Sequence, residues 1–125
     1  MTDVRQIVKQ DIEALLGITG VGTDFIVDEK ERLEAVAIFE WSNPRPAVTG
    51  GGSWHYLQIQ VRSEKMQIAR DTITRILQNL DSGDDEKQFH PPDYVIYRPR
   101  RGAFLMERSS KSITYSGELS VWCND

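Results

Sequence analysis

Cysteine, histidine, long apolar runs and surplus positive charge are all scarce in this chain. A single cysteine, Cys123, stands among 125 residues, which excludes an intrachain disulfide framework and a thiolate-cluster metal site. A lone thiol fits a reducing compartment, so a cytoplasmic setting is expected. No apolar run approaches the roughly 18 residues of a membrane span. The first residues, Met1-Thr2-Asp3-Val4-Arg5, open an amphipathic pattern where an export signal would place a basic stretch and then an apolar one. Neither a membrane partner nor an export signal is therefore expected. Lys and Arg total 15 against 19 Asp and Glu, a formal charge of −4. A general nucleic-acid binder gains its affinity by neutralising phosphates, and this balance opposes that.

Catalytic and cofactor patterns are equally thin. The only histidines are His55 and His90, and no serine sits in a nucleophile-elbow pattern. His55, His90 and Cys123 lack the paired spacing of zinc ligands. The run Gly50-Gly51-Gly52 is not followed by Gly-Lys-Ser/Thr and precedes a strand where a phosphate loop would open a helix. Gly17, Gly20 and Gly22 follow a helix, the wrong order for a dinucleotide fingerprint, and Asp84-Asp85-Glu86 read as a solvated acidic loop. The expectation is a chain with no catalytic residue, no metal and no cofactor, and hence no enzyme.

What remains is ordinary globular material. With 39% apolar and 27% charged residues the chain is too apolar to stay disordered, and its length suits one domain spanning residues 1–125. Val4, Ile7, Val8, Ile12, Leu15 and Leu16 recur with helical period, with Thr2 as N-cap and Gly17 past the end. Residues 23–29 and 34–41 read as strands. Residues 42–53, with two prolines and three consecutive glycines, predict a long exposed loop without a ladder. From 54 to 63 the chain alternates: His55, Leu57, Ile59 and Val61 on one face, Tyr56, Gln58, Gln60 and Arg62 on the other. Ser63 is the predicted cap of a second helix with the stripe Met66, Ala69, Ile73, Ile76, Leu77 and Leu80. Residues 93–98 and 103–108 read as two further strands. A last alternating strand runs through Ile113, Tyr115, Leu119, Val121 and Cys123, and Ile7, Leu15, Ile73, Ile76 and Leu77 should share one core. The predicted class is α+β, two helices packed on one face of a mostly antiparallel β-sheet.

One charge feature stands out. Arg98, Arg100, Arg101, Arg108 and Lys111 face a single acid, Glu107, between positions 98 and 111, with Tyr94 and Tyr97 nearby. A nucleic-acid platform would use such residues, but the acidic whole and the missing ribonucleoprotein aromatic motif favour an exposed hairpin whose arginines meet acids on a neighbouring subunit.

The segment Trp54-His55-Tyr56-Leu57-Gln58-Ile59-Gln60-Val61-Arg62-Ser63, followed by the helix from Met66 to Leu80, resembles the central signature of small phage minor capsid and tail terminator proteins. The short leading helix, the Pro/Gly-rich loop before the strand and the alternating final strand extend the resemblance over most of the chain. It implies a structural subunit of the virion tail or neck, assembled in the host cytoplasm. Such subunits close into a ring, commonly a hexamer, that caps the tail tube, contacts the tail tube protein and head–tail connector, and lets DNA pass without specific binding. Candidate subunit-interface residues are Arg45, Thr49, Arg98, Arg100, Arg101, Arg108 and Lys111. The competing classes are a small cytoplasmic α+β enzyme or ligand-binding module, and a DNA-binding accessory protein.

Overall fold

The structure is a computed structural model, and it describes residues 4–23, 35–40, 45–46, 52–81 and 95–123, the pair 45–46 by its backbone. Helix α1 (Val4–Leu16) buries Val4, Val8 and Ile12, and stops at Gly17, whose φ of 67° is the left-handed conformation that a C′ glycine supplies without steric cost. The Ile18 amide then donates to the Glu13 carbonyl at 3.1 Å. Helix α2 (Met66–Asn79) turns Ala69, Ile73, Ile76 and Leu77 inward. Its cap differs from the sequence expectation. Ser63 is buried as the last residue of a strand, its hydroxyl accepts the Lys65 amide at 3.2 Å, and Lys65 is the N-cap, without a side-chain bond. The serine holds the strand-to-helix joint, one step before the helix itself.

The strands are β1 (Gly22–Thr23), β2 (Ala35–Glu40), β3 (Arg45–Pro46), β4 (Ser53–Ser63), β5 (Val95–Arg108) and β6 (Ile113–Cys123). They form one sheet in the order β1-β2-β4-β6-β5, with β3 beside the start of β4. β1 runs parallel to β2, and every other pairing is antiparallel. The α+β class with two helices and a mostly antiparallel sheet is thus the observed one. The final strand lies inside the sheet between β4 and β5, pairing with β4 over eleven positions from Ser53↔Cys123 to Ser63↔Ile113.

This register explains the core. Leu57, Ile59 and Val61 of β4, Leu119, Val121 and Cys123 of β6, Val95 and Tyr97 of β5 and Ile38 of β2 share one side, and they join the inward stripes of α1 and α2 in one cluster. Each fully buried aliphatic side chain contributes about 1.5–3 kcal/mol. Of the five residues expected to share a core, Ile73, Ile76 and Leu77 are buried, and Ile7 and Leu15 pack against the cluster half-buried. Tyr97 on the edge strand donates its hydroxyl to the Asp11 carboxylate of α1, tying the helix layer to β5.

Two further expectations need correction. Residues 93–98 and 103–108 are not separate strands: β5 is continuous from Val95 to Arg108, with shifts of register at Pro99/Arg101, Arg101/Phe104 and Leu105/Glu107. Pro99 is tolerated because β5 is an edge, where a missing N–H breaks no central ladder. The segment 42–53 does hold a short ladder, Arg45↔Trp54 and Pro46↔Ser53, again on an outer position beside β4. The last of the three glycines, Gly52, has φ 74°, and a Cβ there would meet the Trp122 ring at 2.5 Å, so it serves packing as well as turning. Of the strand expected over 23–29, Thr23 is paired in β1 and the remainder lies outside the described residues, as do residues 47–51, Asp84-Asp85-Glu86 and His90.

Candidate interaction face

The sheet side away from the helices carries the polar half of each alternation. Neighbouring strands set its side chains in rows. Ile96, Trp122 and Trp54 form one row, Arg98, Ser120 and Tyr56 the next, and Arg101, Glu118 and Gln58 a third. The Arg98 guanidinium carbon lies 5.5 Å from the centroid of the Trp54 ring, and that of Arg100 lies 5.6 Å from the Tyr56 ring. Arg101 sits at 3.8 Å from the Phe104 ring on its own strand. At these separations a guanidinium is attracted by the ring quadrupole, a contribution of about 0.5–1 kcal/mol at an exposed site.

The register shift between Pro99 and Arg101 adds Arg101 to the face that Arg98 and Arg100 already share by alternation. In a regular strand, alternation would send Arg100 and Arg101 to opposite faces and leave only one of them near the rings. Here Arg98, Pro99 and Arg100 together border a shallow depression of about 430 Å³ whose other walls are Trp54, Tyr56 and Ser120. Ser120 is 1% exposed, and its hydroxyl oxygen is buried without a hydrogen-bond partner. An unpaired buried hydroxyl is costly and rare in folded proteins.

The structure separates the candidate interface residues that adjoin in sequence. Arg98, Arg100 and Arg101 are exposed at the ring-bearing part of the sheet. Arg108 and Lys111 flank the turn at the opposite end, where Arg108 pairs with Ile113 and Ile113 with Ser63. Ten strand steps separate Ser63 from Ser53 along β4, about 33 Å at the usual rise. Ser109 organises that turn: its hydroxyl accepts the amides of Lys111 and Ser112 at 3.3 and 3.1 Å. The backbone of Arg45 pairs with Trp54, which places it at the arginine–aromatic end, whereas Thr49 lies outside the described residues. Trp54, Tyr56 and Ser120 were not singled out as partners of the arginines. The one sequence signal for them is that Trp54 and Tyr56 fall on the polar side of an otherwise regular alternation.

Other groups with chemical potential are accounted for by packing. His55 is buried, and its Nδ1 lies 3.0 Å from Glu40 Oε1, a partner on the next strand. Cys123 is buried on the helix side of β6, outside any disulfide. Among the described residues no group of three or more His, Cys, Asp or Glu side chains is placed to hold a metal ion. No helix among them is long and apolar enough to cross a membrane. A second hollow, about 400 Å³, lies between the end of α1, β2 and α2, walled by Leu16, Ile18, Val21, Val36 and Ile68. Arg75 crosses its rim to donate to the Leu15 carbonyl at 3.1 Å.

No protein-family model matches the chain, and no curated protein matches it. Among solved structures, one chain of a structure titled "Virion of native gene transfer agent (GTA) particle" superposes with a TM-score of 0.54 at 15% sequence identity, over 91% of this chain and 84% of that chain. At this identity the likeness is one of fold: the arrangement of two helices on a mostly antiparallel sheet recurs, nearly whole, in a chain of a gene transfer agent virion.

Proposed function

We propose that this protein is a structural subunit of a phage-like virion that closes into a ring, caps the tail tube and joins tail to head. The observation that carries this reading is the fold shared over most of both chains with a component of a gene transfer agent virion. It agrees with the likeness of the strand–helix joint at Ser63 to that of small tail terminator proteins. Geometry supports it too. A domain of 125 residues has a radius of gyration of roughly 14 Å, equivalent to a sphere about 36 Å across. Six such spheres in a closed circle leave a central hole of about the same width, enough for a DNA duplex. The charge of −4 discourages the ring from gripping DNA in transit.

Head-to-tail closure uses two different surfaces of each subunit, and the face bearing Arg98, Arg100 and Arg101 is one of them. The test is to mix purified protein with tail tubes and image the tube ends by electron microscopy. Capped ends are expected; tubes left open by folded protein would overturn the role.

A further inference from the structure

We propose that the Arg98–Arg100–Trp54–Tyr56–Ser120 depression is a carboxylate-binding site, and that its occupant is the acidic segment 81–86 of a second copy of this chain. The inference rests on the reading of the protein as a self-assembling virion subunit and supplies the contact which that reading leaves open. Three observations carry it. The guanidinium carbons of Arg98 and Arg100 lie 5.5 and 5.6 Å from the centroids of the Trp54 and Tyr56 rings, and both side chains are exposed. An exposed guanidinium beside a ring keeps N–H donors for an acceptor, and a carboxylate can take two parallel hydrogen bonds from it. Second, the buried Ser120 hydroxyl at the floor of the same depression has no partner. The hydroxyl is covered in the free subunit, so a carboxylate oxygen reaches it only when the side chains above it part.

The third observation is charge complementarity within the chain. Asp81, Asp84, Asp85 and Glu86 place four acids in six positions without a base between them. The segment begins at Asp81, just after α2, which packs on the sheet face opposite the arginine site. The two partners are therefore different parts of the chain. This is a heterologous contact, which repeats from copy to copy and closes a ring if the rotation allows. A polyanion such as single-stranded nucleic acid offers similar stacking and charge, but it must approach a protein of charge −4. A second copy carries the same charge of −4, but it presents an acidic segment at every encounter, because each copy brings both partners.

The experiment is a calorimetric titration of the full protein, diluted until sedimentation reports a monomer, with a synthetic peptide of residues 80–87. Binding is expected, with a shift of the Trp54 indole N–H resonance. A matched peptide carrying Asn and Gln for Asp and Glu should not bind. The Arg98→Gln/Arg100→Gln variant should weaken binding on the order of tenfold or more, and Ser120→Ala by a few-fold. If the protein never dilutes to a monomer, charge-swapped chains decide. Arg98→Glu/Arg100→Glu and Asp84→Lys/Asp85→Lys should each fail to associate alone, yet associate when mixed. No peptide binding, equal binding by the arginine variant, or failure of the swapped chains to associate would overturn the contact. Tighter binding of an oligothymidylate to the same residues would overturn the occupant. Tube capping without peptide binding sinks this contact and spares the role, and peptide binding with uncapped tubes does the reverse.

Discussion

Gly117 occupies the centre of β6, opposite Ile59, where Leu77 of α2 presses on the sheet. A Cβ at this position would lie 2.5 Å from Leu77 Cδ1, 3.3 Å from Leu77 Cγ and 3.4 Å from the Arg101 carbonyl oxygen. Carbon atoms in contact prefer about 3.5–4.0 Å, so the first of these contacts is about 1 Å too close. Leu77 is 5% exposed and has little room in which to retreat. Forcing one extra methyl into such a site costs about 1–3 kcal/mol, partly offset by the 0.5–1 kcal/mol that alanine recovers from glycine's backbone entropy. Gly117→Ala should therefore lose about 1 kcal/mol. Gly117→Val, with two further methyls aimed at the same helix, should lose about 3 kcal/mol, or roughly 10 °C of melting temperature for a domain of this size. Urea unfolding followed by circular dichroism measures both. The steric argument is specific to one pair, so it also predicts a coupling. Leu77→Ala alone should cost about 2–5 kcal/mol by opening a cavity, and in that background Gly117→Val should cost at least 1 kcal/mol less than in the parent. Additive losses, or a valine variant as stable as the parent, would refute the claim that α2 depends on the missing side chain.

Two further outcomes follow from the core. Ile76 is fully buried between α2 and the sheet, so Ile76→Asp buries an unpaired carboxylate at a cost of several kcal/mol, a large part of a small domain's margin; a soluble variant with a cooperative melt near the parent's temperature would contradict its placement. Burial pushes the Tyr97 hydroxyl well above the usual tyrosine range, and its hydrogen bond to Asp11 adds to the rise. The folded state therefore keeps a proton that the unfolded chain releases near pH 10, so stability is intact below that pH and falls above it by up to about 1.4 kcal/mol per pH unit. Tyr97→Phe should remove this component, and parallel stability–pH curves for the two proteins above pH 10 would count against it.

Much of the fold was legible because its elements obey simple periods. The stripes of α1 and α2 and the apolar alternation through β4 and β6 mark the surfaces that face one another between helices and sheet. β6 is buried on its other side too, at Thr114, Ser116, Ser120 and Trp122. Errors fell where a local rule met an outer position. Proline and glycine in residues 42–53 and 98–103 argue against a ladder in the middle of a sheet. β3 and β5 are not in the middle, so Pro46 and Pro99 interrupt no flanked strand. The serine at position 63 has the right chemistry for a cap and sits two residues early, because β4 runs on to that point and its side chain is already buried.

The arginine–aromatic face had no comparable local signature, and the reason lies in topology. Trp54 and Tyr56 are more than forty residues from Arg98 and Arg100, and they meet because β6 enters between β4 and β5 and pairs with both. A charge count along the chain groups Arg100 with Arg108 and Lys111, yet β5 runs nearly the length of the sheet and carries them apart. The register shift after Pro99 then breaks the two-residue period that would have told which arginine faces which side. An edge strand permits this, since it is hydrogen-bonded on one side only and a bulge there disturbs one ladder where a central strand would disturb two. The same irregularity has two consequences. It interrupts an edge ladder on which strands of other molecules could add, and it brings Arg101 to the face that Arg98 and Arg100 share by ordinary alternation. An irregular edge disfavours strand addition, and the ring proposed for this chain, unlike a growing sheet, depends on that restriction.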